Sequence, residues 1–341
     1  MAYPKPLSEK SIMKMYREAN INEETADFLH RFFLAAANLY GAAVLRDLWE
    51  ILRDTAPRCG MSRIKRKDIV AFSSIVRREN VPYYVFEADE LYSEEKRADL
   101  DREIVHKSLI KAGYGKMALY YNLSEEQADK PYYVPEDFLS YAEPKETPEE
   151  TDLLKFLRKL KVTAKSSKDR YGREFICNHV GETLDSFSFR NSAEEFDYKW
   201  LSGEFKEHPS RNEKALHELT ERTGGSEAEK IFRIYREDCF TGSPALSDSL
   251  QKVNDELTEV GVQLSLRQFN ELSTLLVKFN NESHLWCNRG WTPTEMSKHL
   301  PRSSSVTMSL EPALKQAIAE GKISREEIEK ELGRYKIKLI E

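Results

Sequence analysis

Two short stretches of this sequence hold residue types whose spacing could do chemistry. The first is basic. Arg53, Arg58, Arg63, Lys65, Arg66, Lys67, Arg77 and Arg78 stand against only Asp54, Asp68 and Glu79. The balance is +5 over 27 residues, in a chain whose net charge is −6. Nucleic-acid affinity comes mainly from phosphate contacts, and these need such a local concentration of cations. The same stretch carries Ser73 and Ser74, whose hydroxyls could reach bases or phosphates. The expected DNA contacts are therefore Arg63, Lys65, Arg66, Lys67, Ser73, Arg77 and Arg78. A solvated basic face on a protein-interaction module explains the same composition, and both readings stay open.

The second stretch is NNESHLWCNRGWTPTEM, residues 280–296, with two tryptophans, a histidine, a cysteine and an arginine. Much of it reads as a joint between helices. Gly290 suits a left-handed helix end, Thr292 an N-cap, Pro293 the first helical position and Glu295 the reciprocal cap. Asn280, Asn281, Asn288 and Arg289 have no such structural necessity, and they are the expected binding surface. His284 and Cys287 could be joined with Cys177 and His179 to make four metal ligands. The spacings CxH and HxxC are unlike common zinc frameworks, so no metal is expected. A Cys–His nucleophilic pair would need a third, orienting group, and the sequence offers none with any specificity.

Other chemistry is sparse. The chain has no GxxxxGK[ST], GxGxxG, HExxH, GxSxG or EF-hand pattern, and no cofactor is expected. Paired carboxylates such as Glu94-Glu95 and Glu194-Glu195 sit in polar surroundings and read as solvated charge. The tyrosine-rich VPYYVFEADELY could stack on bases, but its acidic neighbours would repel a phosphate backbone. An enzyme is thus the third reading, after DNA binding and after a protein-interaction scaffold.

The elements that would position these residues are mostly helical. An apolar stripe at Phe28, Phe32, Ala35, Ala36 and Leu39 predicts a buried helix over 23–40, ended by Gly41. A short apolar link, a helix over 45–54, a loop over 56–62 and a helix over 67–78 follow. Residues 84–92 read as two strands around a polar turn. That order is the order of a winged helix-turn-helix module, with 67–78 as recognition helix and the hairpin as wing. Residues 100–111 read as a further helix. Thr147, Pro148 and Glu150 cap another over 149–160, and helices are expected over 212–222, 228–240, 247–260, 265–279, 310–320 and 324–336.

The expected fold class is mainly α with a small β component. A winged-helix-like domain over 1–98 leads through a connector over 99–148 to a helical domain over 149–300 and a helical tail over 301–341. Four scattered cysteines, no export-signal core in MAYPKPLSEK and no bilayer-length apolar run predict a cytoplasmic protein with no membrane partner.

Three segments carry a resemblance. Asn280, Asn281, Leu285, Trp286, Asn288, Gly290, Thr292, Pro293, Glu295 and Met296 fit one pattern. Asn38, Leu39, Tyr40, Gly41, Leu45, Asp47, Leu48, Ile51 and Leu52 fit a second, and PYYVP at 131–135 a third. Together they resemble cytosolic proteins of Gram-positive bacteria described as SEC-C-motif or YecA-like. The SEC-C zinc cluster lies near a C-terminus in those proteins. No cysteine follows Cys287 here, so the resemblance implies no metal site and little about function. The leading expectation is a non-enzymatic regulatory or adaptor protein that contacts double-stranded DNA; the alternative is a scaffold for a protein partner.

Overall fold

The computed structural model describes residues 3–61, 63–92, 98–110, 117–168, 172, 174–187, 225–242, 246–299, 306–309 and 337–340. The chain is mainly α-helical, with a small three-stranded antiparallel sheet near its N-terminus. Residues Met1–Pro293 form one compact unit and Thr294–Glu341 a second. The expected boundaries at 98 and 148 fall inside the first.

Helix α1 spans Glu9–Glu18 and α2 spans Glu23–Tyr40. The Asn22 side chain caps α2 by accepting from the Thr25 N–H at 2.8 Å. The predicted apolar stripe is buried, and Gly41 ends the helix at φ 69°, ψ −50°. Strand β1 (Ala42–Val44), α3 (Leu45–Arg58) and α4 (Arg66–Val76) follow. Helix α3 runs past the expected loop start and includes Pro57 in its last turn.

The next stretch differs from expectation. Strand β2 covers Tyr83–Phe86, but Ala88–Tyr92 is a helical turn, α5, not a second strand. The Glu90 carboxylate accepts from the Glu87 backbone N–H at 2.7 Å, a local cap that favours the helical turn over a hairpin. The strand that pairs with β2 lies where a helix was expected: β3, Glu103–His106. It takes the central place, antiparallel to β1 through Ala43↔Ile104 and to β2 through Val85↔Ile104. Ile104 and Val105 are both fully buried, so β3 has no polar alternation to advertise it.

Helix α6 spans Ala118–Gln127, a 3₁₀ segment covers Phe138–Ala142, and α7 spans Pro148–Lys159. The α7 capping box forms as predicted, with Thr147 Oγ1 accepting from the Glu150 N–H at 3.1 Å and Glu150 accepting from the Thr147 N–H at 2.9 Å. A small antiparallel pair, β4 (Ser166–Lys168) and β5 (Glu174–Ile176), precedes α8 (Glu227–Thr241), α9 (Leu246–Glu259), α10 (Leu266–Glu282) and α11 (Pro293–His299). In the second unit β6 (Val306–Ser309) and β7 (Ile337–Ile340) pair in parallel. The helices expected over 212–222, 310–320 and 324–336 lie outside the described residues.

Two hydrophobic cores fill the first unit. One gathers α1 to α4 with Ala43, Val85 and Ile104. The other gathers α6 to α10 with Ala42, Val105 and Leu91. Neighbouring residues of β1 and β3 therefore point into different cores, and the sheet is a shared wall between them. Among the described residues no helix is long and apolar enough to cross a membrane.

Candidate functional site

The basic stretch ends up on the loop after α3 and on α4. Arg63, Lys65, Arg66, Lys67 and Arg78 are exposed in the whole chain. None of the five makes an ion pair with a described residue. Four of them crowd the N-terminal end of α4. There Asp68 is held by the backbone, its carboxylate accepting from the Lys65 N–H at 2.8 Å. The C-terminal end presents Arg78 one residue beyond the helix cap.

The remaining two expected contacts are withdrawn. Ser73 is fully buried, donates to the Val70 carbonyl at 2.8 Å and accepts from Arg102 Nη1 at 2.9 Å. Arg77 is 8% exposed and tied to Glu87 at 2.8 Å and Glu90 at 2.7 Å. Helical periodicity explains both. Positions 69, 72, 73, 76 and 77 share the inward face of α4, so the residue types suited DNA but the phase did not.

Arg77 belongs to an ionic cluster that anchors α4. Arg102 Nε meets both Glu87 oxygens at 2.9 Å, its Nη2 meets Asp99 at 2.9 Å, and its Nη1 donates to Ser74 Oγ at 2.8 Å. Glu87 and Glu90, which follow β2, and Arg102, which precedes β3, are thereby tied to α4 and its C-terminal cap. The sequence marks Ser74 and Arg77 as possible DNA contacts but not as members of this cluster, because the bonds of Arg102 to Glu87 and Ser74 and of Arg77 to Glu90 join residues 13 to 28 positions apart.

The second stretch is a joint, and it collects all three segments that carry the sequence resemblance. Trp286 is buried, and its Nε1 donates to the Asn38 carbonyl at 2.7 Å. A Cβ on Gly41 would stand 2.6 Å from the Trp286 ring, and one on Gly290 would stand 3.0 Å from Leu39 and Tyr40. Tyr40 donates to the Tyr133 carbonyl at 2.7 Å, and Trp291 Nε1 donates to the Pro131 carbonyl at 3.1 Å. Gln127, buried, bridges the carbonyls of Tyr40 and Trp286 at 2.6 and 2.8 Å.

The four polar residues of that stretch are all partly buried. Asn280 and Asn281 lie in the last turn of α10 and make no side-chain hydrogen bond among the described residues. Asn288 accepts from Lys130 Nζ at 3.2 Å, and the same ammonium donates to the Cys287 carbonyl at 2.8 Å. Arg289 is left-handed at φ 49°, ψ 44°, with its guanidinium 4.4 Å from the Tyr132 ring centre.

The cysteines and histidines stay apart in function. His284 stacks on Tyr133 and bonds the Gly290 carbonyl at 2.6 Å, while His179 stacks on Phe187. Burial pushes the Cys239 thiol up to about 12 and the Cys287 thiol up to about 11. It also raises Cys177. Among the described residues no three metal-binding side chains gather. Comparison with protein-family models, curated proteins and solved structures finds no match to this chain.

Proposed function

We propose that this chain is a non-enzymatic regulatory protein that binds duplex DNA through the N-terminal end of α4. The supporting observation is the placement of Arg63, Lys65, Arg66 and Lys67, exposed and unpaired among the described residues, at that helix end. The element order α2, β1, α3, α4, β2, α5, β3, with β3 between β1 and β2, supports this reading, because apart from the helical turn α5 it follows the order of a winged helix-turn-helix module. In helix-turn-helix modules the N-terminal residues of the second helix meet base edges, and basic flanks hold phosphates.

The test is fluorescence anisotropy of a labelled duplex with the full chain across a salt series. Four or five phosphate contacts predict a log–log salt slope of roughly −4. The triple variant Lys65→Glu, Arg66→Glu, Lys67→Glu should lose at least 100-fold in affinity and flatten the slope. A slope near zero, or a variant that binds as well as the parent, refutes the reading. A folded chain that ignores duplex yet captures a protein through these three residues would favour the scaffold alternative.

A further inference from the structure

The loop 283–291 carries a second feature, independent of the basic helix end. Buried polar atoms in folded proteins nearly always find a partner, and each exception calls for an explanation. Two such atoms fall in this loop, Ser283 Oγ and Arg289 Nε. Arg289 is a non-glycine residue held in the left-handed region, a conformation that persists only where the surroundings impose it. They do impose it: its N–H donates to the Trp286 carbonyl at 2.8 Å and its own carbonyl accepts from the Tyr133 N–H at 3.0 Å. The backbone therefore aims this side chain over Tyr132, 4.4 Å from the ring centre. No carboxylate among the described residues forms an ion pair with it.

A second cation stands in the same loop contact. Lys130 donates to Asn288 Oδ1 at 3.2 Å. An ammonium has no acceptor, so this contact fixes the Asn288 amide with its oxygen toward Lys130 and its NH₂ turned away. The loop thus offers a guanidinium with one face covered by an aromatic ring, an oriented amide donor beside it in sequence, and a positive field from Lys130. A planar guanidinium edge matches the paired oxygens of a carboxylate or phosphate. We propose that this loop is an oxyanion receptor, with Arg289 as the binding group and Asn288 and Lys130 in support, for a small ligand bearing a carboxylate or phosphate group.

Trp286 and Trp291 flank the loop and supply the readout, intrinsic fluorescence of the full chain. It would be titrated with sodium phosphate and, separately, sodium acetate, with chloride replaced to hold ionic strength constant. A saturable change is expected with at least one of them. Saturation by phosphate alone assigns a phosphate-bearing ligand, and saturation by acetate alone a carboxylate. Arg289→Met should weaken it at least tenfold. Arg289→Lys keeps the charge but not the paired donors, and should weaken it several-fold; this variant decides if Arg289→Met fails to fold. The triple variant of α4 should respond as the parent does, which separates this site from the DNA reading. A linear, unsaturable response in the parent, or equal responses in the parent and Arg289→Lys, overturns the proposal and leaves Arg289 as a packing cation.

Discussion

Replacing Gly41 with alanine should damage this protein more than any other single methyl group among the contacts described. Two effects add. The residue sits at φ 69°, ψ −50°, a sparsely populated region where a residue with a side chain costs about 1–3 kcal/mol. The new Cβ would also lie 2.6, 2.7 and 2.8 Å from three atoms of the Trp286 ring. That ring cannot retreat cheaply, because it is buried and its Nε1 is bonded to the Asn38 carbonyl at 2.7 Å. Overpacking of this kind costs about 1–3 kcal/mol. The expected loss is therefore about 2–6 kcal/mol by urea unfolding followed by circular dichroism. The two shares separate in a double-mutant cycle with Trp286→Leu, which removes the obstructing ring. The double variant should recover about 1–3 kcal/mol relative to the sum of the singles, leaving the backbone share. A Gly41→Ala loss under about 1 kcal/mol, or strict additivity within about 0.5 kcal/mol, would refute the account.

Glu90→Gln removes one of the two carboxylates on Arg77, in a site where the Arg77 and Glu90 side chains are about nine-tenths buried, and with Glu87 still in place should cost about 1.5–3 kcal/mol in thermal unfolding. Replacing Arg77 and Glu90 together with methionine should cost much less, and equal losses would argue against the buried pair. His106 is pushed down to about 4 by burial and by the nearby Arg236, from an ordinary value of 6.5. The folded state thus binds fewer protons. Stability should be complete above pH 6.5 and fall by up to about 3 kcal/mol as the pH drops through 4, a decline that His106→Asn should blunt. Cys59 is exposed while Cys177, Cys239 and Cys287 are buried, so a disulfide reagent at pH 8 should titrate one thiol fast and three only on unfolding. Two or more fast thiols in the native chain would contradict the buried positions.

The parts legible in the sequence were those written locally. The apolar stripe of α2, the capping box before α7 and the order α2, β1, α3, α4 follow from periodicity and caps within one segment, whereas α1 was not anticipated. The central strand was not legible, because Ile104 and Val105 face two different cores and alternation vanishes when both faces are buried. The helical turn α5 depends on one carboxylate, Glu90, reaching back three residues. The basic stretch was visible as charge, but which cations face water depends on the phase of α4, and that phase is set by packing. The pairing of Arg102 with Glu87 and Ser74 joins residues 15 and 28 positions apart, beyond any local pattern.

The shared wall between the cores has a practical consequence for anyone who wishes to isolate the basic helix end. A fragment ending at residue 98 would lack Glu103–His106, the strand that both β1 and β2 pair with. Two strands would be left with open edges, and Ala42 would lose its partner Val105 along with the core behind it. Open edges recruit strands from other molecules. Such a fragment would therefore tend to aggregate or swap strands, and its failure to bind DNA would report lost folding, not absent recognition. The first compact unit, Met1–Pro293, keeps the wall together with both cores that it separates.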